Sequence, residues 1–326
     1  MKKLHEIARN SATAEIFKIM ASDQKSKETL DRIKALTDEQ LDTMADIGGI
    51  PDVQKLIYRA LIRGDDNELI QKLNAFEDKL ETGDVILMTG TSKSSKILAN
   101  SQKTIYTKAR SSHIALVHAD FICIDAIPKA GVTNRLISQI LSDVEDDWRV
   151  IRFNRVDEKN HETIHKVCAY YLAQPYMILP SKKPAKNFSY CSELARKVYL
   201  DSDIQNCHIP KNIIIKPCDF DRIADNSNDW TDVTERVRPF IEFCKEYEPL
   251  LKIFSKLFIN GLKLNRARSE ERKNAIRAIK AAAANGEISN EKASEMIKII
   301  HQTEKSMNFK FWDSEHSSHK EPVNHD

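Results

Sequence analysis

Residues 111–126, SSHIALVHADFICIDA, most constrain what this chain can fold into. Two apolar runs flank a short polar break, the pattern of two β-strands folded back on each other. With His118-Ala119-Asp120 as the turn, Val117 faces Phe121, Ala115 faces Cys123 and His113 faces Asp125. Side chains alternate along a strand, so His113 and Asp125 then project from one face. Directly opposed residues have Cβ atoms only ~5 Å apart. The hairpin therefore sets an imidazole beside a carboxylate, an arrangement that fixes the tautomer and orientation of a catalytic base. Taken alone, the pair reads first as a cross-strand polar contact with no chemistry.

The 326 residues allow two or three domains and an ample core. Their 30% charged and 41% hydrophobic content is that of an ordinary globular chain, and the net charge of +2 does not single out a nucleic-acid binder. Eight glycines are few, which favours helices over tight turns. The cysteines at 123, 168, 191, 207, 218 and 244 show no paired spacing and fit reduced thiols. MKKLHEIARNSATAEIF lacks the apolar run of a secretory signal, and no stretch is apolar enough to cross a bilayer. The expectation is a protein made in a cytoplasm, whose export, if any, follows a route without a cleaved signal.

Three regions follow. Residues 1–80 read as short helices, with apolar spacing at Leu56, Ile57, Ala60 and Leu61 and a turn at Gly48-Gly49. Residues 81–226 are mixed α+β. GDVILMTG and WRVIRFN read as strands; SKSSKILANSQ, VTNRLISQILSDV and residues 157–174 read as helices. Residues 227–326 read as helical and basic, ending in the polar, disordered tail HSSHKEPVNHD.

NFSYCSELARKVYL, residues 187–200, supplies a nucleophile. Cys191 stands just before the helix-forming run Glu193, Leu194, Ala195, Arg196, Lys197. A helix N-terminus offers unpaired N–H groups and the positive end of the dipole. Both lower a thiol pKa and can hold an oxyanion. The other reading is a small buried residue, which Cys123 in its strand and Cys168 in its helix exemplify.

On these residues the span 81–226 resembles the circularly permuted papain-like cysteine hydrolases of the YiiX-like group, relatives of NlpC-type endopeptidases and lecithin:retinol acyltransferases. The motifs run in order: TGDVILM with Gly83 and Asp84, SSHIALV with His113, Asp125 followed by AIPKAGV, VIRFNR, PYMILP, FSYCSEL and KPCDF. The order His, acid, Cys is the permuted one. Asp125 stands where relatives often carry Glu or His. The resemblance implies an α+β fold, with an antiparallel sheet packed on helices and helical flanks on either side. It implies Cys191 as nucleophile, His113 as general base and acid, Asp125 as the orienting residue and Tyr190 in the pocket. The implied reaction is acyl transfer through a thioester, on the amide or ester bond of a peptide, peptidoglycan or lipid. Peptidase or amidase chemistry is the first expectation. A lipid-directed acyltransferase, or a silent module acting through its flanks, is the alternative. No cofactor is expected.

Other signals are weaker. His161, His165 and Cys168 share a helix face, but one segment supplies all three and no fourth ligand is evident. Cys207, His208 and Cys218 have no ligand spacing. His118 rivals Asp125, yet a continuous strand turns it to the other face from His113. In PLLKIFSKLFINGLKL the apolar residues Leu250, Phe254, Leu257, Phe258 and Leu262 recur at helical spacing, and nine Lys or Arg against two Glu lie between Lys252 and Lys280. Such a helix packs on its own domain or meets a protein partner or an anionic membrane. Nucleic acid is not expected, since no aromatic array interleaves the basic run.

Overall fold

The computed structural model describes residues 23–178 and 187–306. The tail at 316–326 and the segment at 1–17, on which the expectation about a secretory signal rests, lie outside the described residues. Contacts divide the chain into two compact units. One is Asp42–Ser255; the other combines the residues before 42 with those after 255.

The helices before the sheet are α1 (Asp23–Lys34), α2 (Asp38–Gly48), α3 (Asp52–Arg63) and α4 (Glu68–Ala75). Gly49 takes φ +78° after α2, so the expected turn lies where its sequence puts it. Asn67 caps α4 by accepting from the Ile70 amide at 3.1 Å. Of the apolar residues that suggested a helix at 56–61, Ile57 is buried and Leu56 is 70% exposed.

The larger unit is built on one antiparallel sheet. Its strands are β1 (Val85–Met88), β2 (His113–Ala119), β3 (Ile122–Ile127), β4 (Gly131–Leu136), β5 (Arg149–Phe153) and β6 (Trp230–Asp232), in the order β4-β3-β2-β1-β5-β6. The central strand β1 is buried at every position. That follows from VILM, four aliphatic residues, each worth ~1.5–3 kcal/mol when fully removed from water. The remaining helices of this unit are α5 (Lys93–Ser101), α6 (Ile137–Ile140), α7 (Glu158–Tyr171), α8 (Cys191–Asp201), α9 (Pro217–Asn226) and α10 (Thr234–Glu246). Two more follow, α11 (Glu248–Ala284) and α12 (Asn290–Ser306). None of the described helices is long and apolar enough to cross a membrane.

The motifs around the sheet have plain structural reasons. Asp84 is buried and receives two bonds from the Arg152 guanidinium, Nε and Nη2, both at 2.8 Å. A buried carboxylate of this kind needs such a bidentate partner. Gly83, at φ +97°, donates to the Val117 carbonyl, and its own carbonyl accepts from the Tyr199 hydroxyl at 2.8 Å. Asp219 of KPCDF accepts from the Lys216 amide at 2.8 Å and so caps α9.

Three expectations are corrected. VTNRLISQILSDV is not one helix. Its first half is β4, laddered to β3 from Ile122↔Leu136 to Ile127↔Gly131, and only Ile137–Ile140 is helical. The chain is also not wholly helical after residue 229, since Trp230–Asp232 adds the edge strand β6 beside β5. The third correction is the hairpin register. Ala115 faces Asp125, Leu116 faces Ile124 and Val117 faces Cys123, and a bulge then brings Ala119 opposite Ile122. The turn is Asp120-Phe121, with Asp120 at φ +49°, a conformation that Asp tolerates. His118 is therefore not a turn residue: it lies in β2 at the bulge and is fully buried.

Candidate functional site

The slip of two residues preserves parity, so His113 and Asp125 still share a face. They meet diagonally rather than directly opposite. His113 Nε2 lies 2.9 Å from Asp125 Oδ2. Asp125 is fully buried, while the His113 side chain is 22% exposed. Arg135, opposite Cys123 on β4, shares that face and clamps the same carboxylate. Its Nε donates to Asp125 Oδ1 at 3.3 Å and its Nη2 to Oδ2. Burial alone would raise the Asp125 pKa, but the His113 and Arg135 contacts outweigh it and hold the carboxyl below its usual value.

Cys191 is the first residue of α8. The first bond within the helix runs from the Leu194 amide to the Tyr190 carbonyl at 2.8 Å, so the amides of Cys191, Ser192 and Glu193 precede it. Burial pushes the Cys191 thiol up, but charge and hydrogen bonding from His113, the Ser192 hydroxyl and the Ile114 amide bring it below its ordinary value. In return, Cys191 and Asp125 raise His113 against the opposing effect of burial. Nε2 of His113 is taken by Asp125, which leaves Nδ1 for the thiol. All six cysteines are free and buried. Burial raises the other five: Cys123, Cys168, Cys207, Cys218 and Cys244.

The helix that carries Cys191 is buried from Cys191 to Tyr199, which is why its polar residues all have partners. Arg196 pairs with Glu193 and donates to the Asn212 carbonyl at 2.7 Å. Lys197 donates to the Phe188 carbonyl at 2.7 Å and to Ser189 Oγ at 3.0 Å; Ser189 in turn donates to Gln174 Oε1 at 2.8 Å. These bonds fix the segment just before Cys191. Tyr190 is buried, and its hydroxyl accepts from the Ile215 amide at 3.1 Å. It thus anchors the loop before α9. Tyr176 is partly exposed and feels the Cys191 charge.

The remaining sequence candidates lie elsewhere. His118 Nδ1 is 2.8 Å from the Asn134 amide nitrogen, and Asn134 stands opposite Ile124, on the face away from Asp125. His165 lies 3.0 Å from Thr82 Oγ1, and its ring sits 5.7 Å from that of His118. Cys168 is buried in α7, and His208 pairs with Asp229 at 2.9 Å. Among the described residues no three or more His, Cys, Asp or Glu side chains gather as a metal site. Of the C-terminal stripe, Leu250 and Leu262 are buried and Phe254 is 43% exposed.

Arg135 and the Ile114 amide were missed by sequence reasoning. The available signal was the alternation of Val132, Asn134 and Leu136 with Thr133 and Arg135 directly after the Gly131 turn.

No family model matches the chain, and no curated protein does. A solved structure similar to part of it is that of the metalloprotein YiiX from Escherichia coli O157:H7, at 20% identity. The match covers 48% of this chain and 98% of the other, with a TM-score of 0.37.

Proposed function

We propose that the chain is a permuted papain-like thiol hydrolase or acyltransferase, with Cys191 as nucleophile, His113 as base and acid, and Asp125 as the orienting residue. One observation carries the reading. Among six buried thiols, only that of Cys191 is lowered, and the lowering comes from an imidazole backed by a buried carboxylate.

The chemistry runs as follows. The Cys191 thiolate attacks the carbonyl carbon of an amide or ester, and the oxyanion is held by amides at the start of α8. The intermediate collapses as the His113 imidazolium gives its proton to the leaving nitrogen or oxygen. A thioester remains. His113 then takes a proton from water or another acceptor, which attacks the thioester, and the thiol is restored. Amidase or peptidase chemistry is the first expectation. Tyr190 supports the site through the Ile215 loop, and the partly exposed Tyr176 is the nearer candidate to touch substrate.

A thiol-directed acylating probe tests the reading. It should label Cys191 in the folded protein and spare the other five cysteines. Cys191→Ala should lose labelling and lose turnover by several orders of magnitude, with its circular dichroism unchanged. A folded Cys191→Ala that keeps full turnover excludes the mechanism; equal labelling of all six thiols points to a silent module.

A further inference from the structure

The segment from Lys93 to Arg110 carries Lys93, Lys96, Lys103, Lys108 and Arg110, and no acid. It folds as α5, a 3-10 turn at Gln102–Thr104 and the loop that runs on toward His113. All five cations are exposed. So are the aliphatic side chains among them: Ile97 at 67%, Leu98 at 48% and Ile105 at 48%. A second loop, KNIIIK at 211–216, repeats the mixture, with Ile213 50% exposed. The two segments meet. Ile105, Lys211, Ile213 and Lys216 line one open groove of about 510 Å³, together with the buried Asp219.

Single exposed aliphatic residues are ordinary, but a run of them among cations marks an interaction surface. Lys96 pairs with Glu145 at 2.8 Å and Arg110 lies 3.5 Å from Asp225. Lys93, Lys103, Lys108 and Lys211 make no ion pair among the described residues. Both segments are tied to the thiol site. Gln102 Nε2 donates to the Ser111 carbonyl at 2.9 Å, two residues before His113, while Gln102 Oε1 accepts from the Cys218 amide at 3.0 Å. The Ile215 amide donates to Tyr190, next to Cys191.

We propose that this surface docks the sheet unit on an anionic lipid bilayer, with the lysines over the headgroups and Ile97, Leu98, Ile105 and Ile213 in the acyl boundary. Aliphatic groups interleaved with unpaired lysines match the two layers of a bilayer interface. Single-stranded nucleic acid would call for exposed rings, and Tyr106, the ring of this segment, is covered by the Arg222 guanidinium 5.2 Å above it. The docking does not rest on the thiol chemistry; it determines where that chemistry happens.

Sedimentation of the full chain with vesicles tests the proposal, comparing phosphatidylcholine containing one-third phosphatidylserine with phosphatidylcholine alone. Binding should favour the anionic vesicles and weaken with salt. Each lysine near the surface is worth roughly fivefold, so Lys93→Gln with Lys103→Gln and Lys108→Gln should weaken binding on the order of a hundredfold. Ile97→Ser with Ile105→Ser should weaken it at unchanged charge. Lys273→Gln with Lys280→Gln, on α11, should bind as the wild type does, and so should Cys191→Ala, which keeps docking separable from any failure of the thiol mechanism. Circular dichroism checks that each variant is folded. Equal binding to both vesicles, wild-type binding by the lysine variant, or loss confined to the α11 variant overturns the proposal. So does capture of polyuridine, abolished by the lysine variant, without vesicle binding.

Discussion

At the scale of single residues the site turns on one carboxylate with two cationic neighbours. Asp125 is fully buried between His113 and Arg135. If His113 sets the thiol's reactivity, His113→Ala should slow alkylation of Cys191 by iodoacetamide at neutral pH. The apparent thiol pKa should move up to or beyond ~8.5, the free value, because the burial that opposes ionisation remains. An unchanged alkylation profile would mean that the imidazole does not pair with the thiol. Arg135 acts one step further back. Arg135→Leu leaves the buried Asp125 with one partner, and breaking a buried pair in this way typically costs ~3–5 kcal/mol. The carboxyl pKa should rise, so the acid limb of turnover should shift to higher pH, while Arg135→Lys should restore part of the charge without the fork. A pH–rate profile with its acid limb unmoved would assign Arg135 a purely structural part.

At the scale of elements the β3–β4 hairpin joins that clamp to the segment before Cys191. Gly131 takes φ +71°, and a Cβ there would lie 2.1 Å from the Gln174 carbonyl oxygen. That carbonyl accepts from the Val132 amide at 2.8 Å, while the Gln174 side chain accepts from Ser189. Gly131→Ala should therefore lower the unfolding free energy measured in urea, by at least ~1–2 kcal/mol from the left-handed backbone alone. It should also slow Cys191 labelling, because Arg135 and Ser189 lose a common support. Labelling at the wild-type rate in a destabilised variant would uncouple the hairpin from the site. The same hairpin marks how far the sequence was readable. The strands around His113 and Asp125, and the helix start at Cys191, are carried by strong local patterns. β4 was not, because VTNRLISQIL also satisfies helical spacing, and only pairing with β3 decides it. The register is off by two because the true turn, Asp120-Phe121, shifts the pairing by three, and the bulge at His118, which no alternation rule anticipates, takes one of these back. The error left parity intact, so the pair survived it. A slip of one would have separated His113 from Asp125.

At the scale of the whole sheet unit, the two strand faces give His113 and His118 opposite electrostatic states. His113 is raised by the charges around it. His118 is pushed down to about 3, by burial first and by His165 second. His165 is lowered as well, chiefly by burial, with His161 adding to it and Asp120 and Glu162 opposing it. If Asn134 donates to Nδ1 of His118, the ring is neutral and its Nε2–H faces the His165 carbonyl at 3.3 Å. The folded pKa thus lies below the unfolded value of 6.5. Above 6.5 both states hold a neutral ring and pH changes nothing. As pH falls from 6.5 toward 3 the unfolded chain binds a proton that the folded one refuses, so stability declines through that window, by up to ~1.4 kcal/mol per pH unit for one such proton. Urea midpoints measured from about pH 7 to about pH 4 should therefore fall more steeply for the wild type than for His118→Gln, whatever the absolute stability of the variant. Comparing slopes removes the cost of the lost ring itself. Asp125 adds its own acid loss in both proteins, since its folded pKa is also depressed, and cancels in the comparison. Parallel curves would mean that His118 accepts its proton in place, with the Asn134 amide turned so that its oxygen receives the new N–H.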